Sequence, residues 1–150
     1  VLAKVIIDKQ SPFLKSIIVN RGSKDKIELG MAVLDGDFLV GKVVEVNYLT
    51  SRILLLSDLN SKIPVSIEPN GIQSILSGTG GKHGKLQYLL NDNLSIKDED
   101  EVFTSGSGNI FNAGIPVGKV KIKDNFPEIV FHSDFSQLRL VKIVTFEIRE

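Results

Sequence analysis

Two copies of one four-residue segment, Val40-Gly41-Lys42-Val43 and Val117-Gly118-Lys119-Val120, lie 77 residues apart in a chain of 150 (position 40 to position 117). A repeat spaced at about half the length restricts the fold more than composition does, because it suggests two related units in tandem. Each copy follows a turn, Asp35-Gly36-Asp37 in the first and Asn112-Ala113-Gly114 in the second. Each turn in its own right follows a short strand, Met31 to Leu34 and Glu101 to Ser105. A glycine inside a strand marks a bend or the close approach of another backbone, so Gly41 and Gly118 belong to the framework of the repeat.

The rest of the chain keeps the same rhythm. Branched residues concentrate at Val5 to Ile7, Ser16 to Val19, Phe38 to Val46, Ile53 to Leu56, Ile63 to Ile67, Lys85 to Leu90, Ile115 to Ile122 and Leu138 to Ile148. Clusters of Gly, Asn, Asp, Ser and Pro divide them about every 8–12 residues, the pattern of an all-β sandwich or barrel. No helical spacing of apolar residues persists for three turns. Lys119, Lys121 and Lys123 alternate with Val120 and Ile122, giving a strand with one wet and one dry face. Leu140 to Val144, apart from Lys142, and Leu54 to Leu56 are apolar on both faces and are expected to be covered on both sides.

These signals predict an all-β fold of two small antiparallel β-barrels in tandem, about six strands each, with terminal strands able to exchange between them. The division is placed between residues 1–70 and 71–150, inside the glycine-rich stretch Glu68 to Gly84. That stretch reads equally as a linker or as a long hairpin.

Composition removes several functions. Eighteen basic residues balance eighteen acidic ones, which argues against broad attraction to nucleic acid or anionic membrane. With no cysteine there is no disulfide, thiolate zinc site or cysteine nucleophile. No apolar run reaches the roughly 18–20 residues that span a bilayer. The chain opens at Val1 in what already reads as a strand, so it is taken as a piece of a longer protein.

Searches for catalytic chemistry return little. Gly78 to Lys85 resembles a phosphate loop, yet neither Gly84-Lys85 nor Gly81-Lys82 has the upstream glycine and following hydroxyl that the loop requires. A double barrel with Ser, His and Asp raises serine-hydrolase chemistry, with Ser105 or Ser107 as nucleophile and His132 as base. The serines sit in Thr104-Ser105-Gly106-Ser107-Gly108, whose composition a tight turn explains. The run Asp98 to Glu101 lacks the spacing of a calcium loop, and two distant histidines give no metal-ligand pattern. Six phenylalanines (Phe38, Phe103, Phe111, Phe126, Phe131 and Phe135) could stack bases, but that mode also needs a basic groove.

Taken in order, the segments resemble a known family. Val19-Asn20-Arg21-Gly22-Ser23 precedes Leu29-Gly30-Met31-Ala32-Val33 and Leu39-Val40-Gly41-Lys42-Val43. Ser51-Arg52-Ile53-Leu54-Leu55-Leu56-Ser57-Asp58 and Ile63-Pro64-Val65 follow. The second half adds Asp100-Glu101-Val102-Phe103-Thr104-Ser105-Gly106 and Gly114-Ile115-Pro116-Val117-Gly118. This succession resembles the MreC family of bacterial rod shape-determining proteins over most of the chain. Lys26 stands where that family usually has glycine, Glu99 replaces the glycine before Asp100, and Asn112 replaces a frequent proline.

The resemblance implies the exported, periplasmic double-barrel region of a protein anchored in the inner membrane by an N-terminal helix and coiled coil that precede this chain. It implies a non-enzymatic scaffold of the wall-elongation machinery, without cofactor or metal. The partners it implies are MreD, a class B penicillin-binding protein and, through the membrane, MreB, with self-association as a homodimer or filament and no nucleic acid. Barrel surfaces and strand edges are the expected means of binding. Ile110 and Phe111 in the second barrel's turn region are the first candidates for contact, followed by Phe126 and Phe135, each of which also reads as core. A hydrolase on a chymotrypsin-like double barrel is the alternative.

Overall fold

A computed structural model of the chain describes residues 1–10, 14–87, 96–109 and 111–145. Its twelve strands are β1 (Leu2–Gln10), β2 (Lys15–Val19), β3 (Ala32–Asp35), β4 (Phe38–Val46), β5 (Ser51–Leu55), β6 (Lys62–Glu68), β7 (Ile72–Gly78), β8 (His83–Gln87), β9 (Glu101–Thr104), β10 (Pro116–Lys123), β11 (Phe126–Phe131) and β12 (Leu140–Val144). They close two six-stranded antiparallel barrels, in the orders β1-β12-β3-β4-β5-β2 and β10-β11-β8-β7-β6-β9. Three short 3-10 turns, Ser23–Asp25, Ser107–Asn109 and Phe135–Gln137, are the only helical pieces among the described residues.

The two rings superimpose strand for strand in their pairing order. β3, β4 and β5 occupy the places of β9, β10 and β11, while β2 and β1 match β8 and β7. The remaining place is filled by β6 in the second barrel and by β12 in the first. The first barrel is therefore a permuted copy, closed by the last described strand of the chain. Leu2 to Lys4 of β1 and Ala32 to Leu34 of β3 flank β12 on its two sides.

The repeated sequence marks a β-bulge in each copy. Val33 pairs with Gly41 and Leu34 with Leu39, leaving Val40 as the extra residue. Phe103 pairs with Pro116 and Val102 with Gly118, leaving Val117 extra. Both valines are buried. Their carbonyls accept from the residue just beyond the next strand: Leu56 N–H donates to Val40 at 3.0 Å and His132 N–H to Val117 at 3.1 Å. The glycine after each bulge is required by space. A Cβ on Gly41 would stand 2.2 Å from the Leu54 carbonyl oxygen, and one on Gly118 2.2 Å from that of Val130. A bulge sharpens strand twist, and the two bulged strands, β4 of one barrel and β10 of the other, lie in contact.

Several expectations need correction. The chain crosses between barrels at Leu56 to Ser61, ahead of the division at residue 70, because β6 already belongs to the second barrel. The crossing is not a loose linker: Leu56, Ser57, Asp58 and Ser61 are buried. Asp58 accepts from the Lys15 amide at 2.7 Å and the Asn60 amide at 2.8 Å, fixing it to the start of β2. The glycine-rich stretch is instead β7 and the β7–β8 hairpin. β12 buries only Val141 and Ile143, while Leu140 is 59% exposed, so it is an ordinary barrel strand with one dry face. Leu54 is likewise half-buried between buried Ile53 and Leu55. Closure of both barrels pairs strands that would otherwise be edges, so binding through free sheet edges gives way to binding through side chains and turns.

Candidate protein-binding surfaces

The four residues expected to contact partners fall in different environments. Ile110 lies outside the described residues. Phe111 is 2% exposed and belongs to the core. Phe135 is 8% exposed, with its ring centroid 4.9 Å from that of Phe131. Phe111 offers no contact surface in this fold, and Phe135 spends most of its apolar area on packing. Phe126 differs: it is 69% exposed at the first position of β11 and pairs with Lys123. Between them stand Asp124 and Asn125, with φ of 52° and 68°. Positive φ at both central residues defines the tight turn that matches strand twist, so Phe126 is held on a short, well-defined tip. Ile122, partly exposed, pairs with Pro127 one step along the same hairpin.

The first barrel presents a corresponding tip that the sequence reading did not single out. Tyr48 and Leu49, between β4 and β5, are both well exposed. The loop before β3 steadies this tip: the Ser23 and Lys24 amides donate to the Asn47 and Tyr48 carbonyls at 2.9 and 3.0 Å. An aromatic and a leucine in a turn, where Asn, Asp and Gly are usual, were the available signal.

At the junction, the β3–β4 turn of the first barrel grips the segment that follows β11. Phe38 lies 4.9 Å, ring to ring, from His132, and the Ser133 hydroxyl donates to Asp35. His132 Nε2 sits 3.0 Å from Glu101 Oε2. From there a line of charges runs over the second barrel: Lys119 reaches Glu101 at 3.9 Å and Glu99 at 3.5 Å, and Lys121 also pairs with Glu99. These contacts account for the acidic run. Glu99 and Glu101 face lysines, while Asp98 and Asp100 accept from the Ile122 and Lys97 amides at 2.9 Å each. Among the described residues no three His, Cys, Asp or Glu side chains are grouped to hold a metal ion.

The hydrolase elements are not assembled. His132 faces Glu101 and Phe38, Ser133 is bonded to Asp35, and the Ser105 hydroxyl accepts from the Ser107 amide at 3.2 Å. Among the described residues no serine hydroxyl is bonded to His132, whereas nucleophilic catalysis needs that pairing. The phosphate-loop lookalike is a hairpin tip in which the Thr79 hydroxyl donates to the His83 carbonyl at 2.6 Å and accepts from the Gly81 amide at 3.2 Å.

A cleft of about 450 Å³ opens where the barrels meet. The first barrel and the crossing contribute Lys15 and Ser57; the β7–β8 tip contributes Gly80 to Lys82; Phe131 and the segment Ser133 to Ser136 complete it. The Asp134 carboxylate accepts from the Ser136 hydroxyl at 2.6 Å and its amide at 3.0 Å. These two bonds, with a smaller contribution from the Lys82 charge, hold that carboxyl below its ordinary range.

Comparison with known proteins places this geometry. The family model for rod shape-determining protein MreC, barrel core, matches residues 5–145. The cell shape-determining protein MreC of Caulobacter vibrioides is 38% identical over 146 residues, 97% of this chain and 42% of the relative. That of Cereibacter sphaeroides is 35% identical over 141 residues, 93% of this chain and 47% of the relative. The chain thus spans less than half the length of these curated relatives. The crystal structure of MreC from Pseudomonas aeruginosa superimposes with a TM-score of 0.87 at 35% identity, covering 97% of this chain and 98% of that one. A Helicobacter pylori MreC solved in complex with the penicillin-binding protein PBP2 shares the fold at 18% identity, with a TM-score of 0.67 and 96% of each chain covered. The duplicated barrels, their bulged repeat and these matches together establish that the chain belongs to the MreC family.

Proposed function

We propose that this chain is the double-barrel part of a non-catalytic scaffold of the bacterial wall-elongation machinery, working on the exported side of the inner membrane to maintain rod shape. The observation that carries the reading is Phe126: a large apolar side chain, 69% exposed, on a two-residue hairpin tip of a closed barrel. A rigid aromatic anchor of this kind is what protein interfaces concentrate their binding energy on. The partner favoured is a class B penicillin-binding protein, since a Helicobacter pylori relative was solved in complex with PBP2. MreD, indirect contact with MreB, and self-association as dimers or filaments belong to the same reading. Tethering to a common membrane would make individually weak contacts effective by raising local concentration.

The test is Phe126→Asp in the full-length protein, titrated against the exported region of its class B penicillin-binding protein. Binding weakened by about thirtyfold or more is expected for loss of an anchor worth about 2 kcal/mol. Unchanged affinity in a folded variant would remove Phe126 from the interface. Unchanged affinity in Tyr48→Asp, Leu49→Asp and Phe126→Asp alike would remove both hairpin tips.

A further inference from the structure

The cleft between the barrels carries chemistry that the scaffold reading leaves unused. Its volume of about 450 Å³ is that of a small-ligand or side-chain pocket. One wall is apolar, made by the packed rings of Phe131 and Phe135. Ser57, only 4% exposed, is part of the lining. A serine hydroxyl can both donate and accept, so it can serve an occupant of the cleft. Lys15 and the exposed Lys82 bring positive charge to the lining, and Asp134 brings the one carboxylate.

That combination selects among ligands. A densely charged anion such as phosphate would meet the Asp134 carboxylate, whose hydrogen bonds to Ser136 keep it ionised. A single carboxylate can pair with Lys82 and accept from Ser57 while an apolar neighbour covers the two rings. A peptide backbone also carries N–H groups that suit the Asp134 oxygens. We infer that the cleft is a docking site for a peptide segment of a partner protein that carries one carboxylate beside an aromatic or aliphatic side chain. Such an occupant touches both barrels at once, so its binding favours one relative arrangement of the two. The inference rests on the scaffold reading for the identity of its natural occupant; the recognition itself is tested separately.

Acetyl-Phe-Glu-Phe-amide titrated into the 15N-labelled chain is the probe. Saturable shifts are expected at the amides of Gly80, Gly81, Lys82, Ser133 and Ser136. Acetyl-Phe-Gln-Phe-amide, which removes only the charge, should bind about tenfold more weakly, as should the Glu peptide to Lys82→Glu, a substitution at an exposed tip, because charge-assisted bonds are worth about 1.5 kcal/mol or more. Ser57→Ala, with its amide spectrum otherwise unchanged, should also weaken binding. Equal affinity for the two peptides, indifference to Lys82→Glu, or shifts confined to other surfaces would overturn the proposal. Inorganic phosphate saturating the same amides would replace it with a simple anion site. Phe126 stands five residues from Phe131 along β11, about 17 Å away. Phe126→Asp should therefore leave the peptide titration intact, and loss of synthase binding there would not be mistaken for failure of the cleft.

Discussion

Lys26 is a position where backbone geometry alone sets the expected outcome of a substitution. It caps the first 3-10 turn with φ 64° and ψ 30°, a left-handed conformation, and its amide donates to the Ser23 carbonyl at 3.0 Å. The side chain is exposed. For a residue with a Cβ this conformation costs roughly 1–2 kcal/mol. Glycine removes that cost but loses roughly 0.5–1 kcal/mol more entropy on folding. Lys26→Gly should therefore stabilise by about 0.5–1 kcal/mol, raising the melting temperature by about 1–4 °C for a chain of this size. Lys26→Ala keeps the Cβ and should stay within about 0.5 kcal/mol of the parent. Differential scanning calorimetry and urea unfolding of the three proteins make the comparison. A Lys26→Gly protein that melts at or below Lys26→Ala would refute the argument that a left-handed Cβ is the penalty here. Glu99, with φ 73°, is the same case in the second barrel. Its glycine variant also loses exposed ion pairs with Lys119 and Lys121, each worth about 0–1 kcal/mol. Glu99→Gly should consequently gain less than Lys26→Gly.

Three further outcomes follow from the packing. Gly41→Ala and Gly118→Ala each drive a methyl into a neighbouring carbonyl oxygen 2.2 Å away, and each should cost about 3 kcal/mol or more in urea unfolding. Asp58→Ala removes the acceptor of the Lys15 and Asn60 amides from the buried crossing. It should lower stability by about 1–3 kcal/mol, with the largest amide shifts in β2 and in residues 56–61. Ending the chain at residue 137 removes β12 and opens the first barrel between β1 and β3; amide exchange should rise throughout β1 to β5 while β6 to β11 stay protected. Uniform protection after that truncation would show that β12 is dispensable for closure.

The fold was largely legible because alternating branched residues reveal strands directly, and the Val-Gly-Lys-Val copies reveal their duplication. The strands that escaped notice are those whose composition hides the alternation. β7 dilutes Ile72, Ile75 and Leu76 with Gln and Ser and ends at Gly78, while β11 begins Phe126-Pro127-Glu128. The glycines of the β7–β8 tip imitated a linker, whereas the real crossing at Leu56 to Ser61 is short and, apart from Leu59 and Asn60, buried, and so resembled strand. The site was less legible. Phe111, Phe126 and Phe135 are alike in being phenylalanines near turn residues, yet two are buried and one is exposed. Only the packing of the folded chain separates them, with Phe111 and Phe135 in the core and Phe126 outside it. The seam cleft had no sequence signature, since Lys15, Ser57, Lys82 and Phe135 come from four separate places in the chain.

The permuted duplication gives the molecule its mechanical unity. If each barrel had been built from its own contiguous half, a single connection would join two independent bodies. Instead the chain leaves the first barrel after β5, completes the second with β6 to β11, and returns in β12 to close the first. Two covalent connections therefore cross the seam: the buried crossing at Leu56 to Ser61 and the return through Ser133 to Leu138. The side-chain grips lie on those connections or beside them. Asp58 ties the first to β2, and Asp35 and Phe38 hold Ser133 and His132 at the start of the second. The seam cleft lies where these two connections run side by side, with Ser57 on one and Ser133 to Ser136 on the other. An occupant there would bear on both, so the relation between the barrels is most open to control at this place.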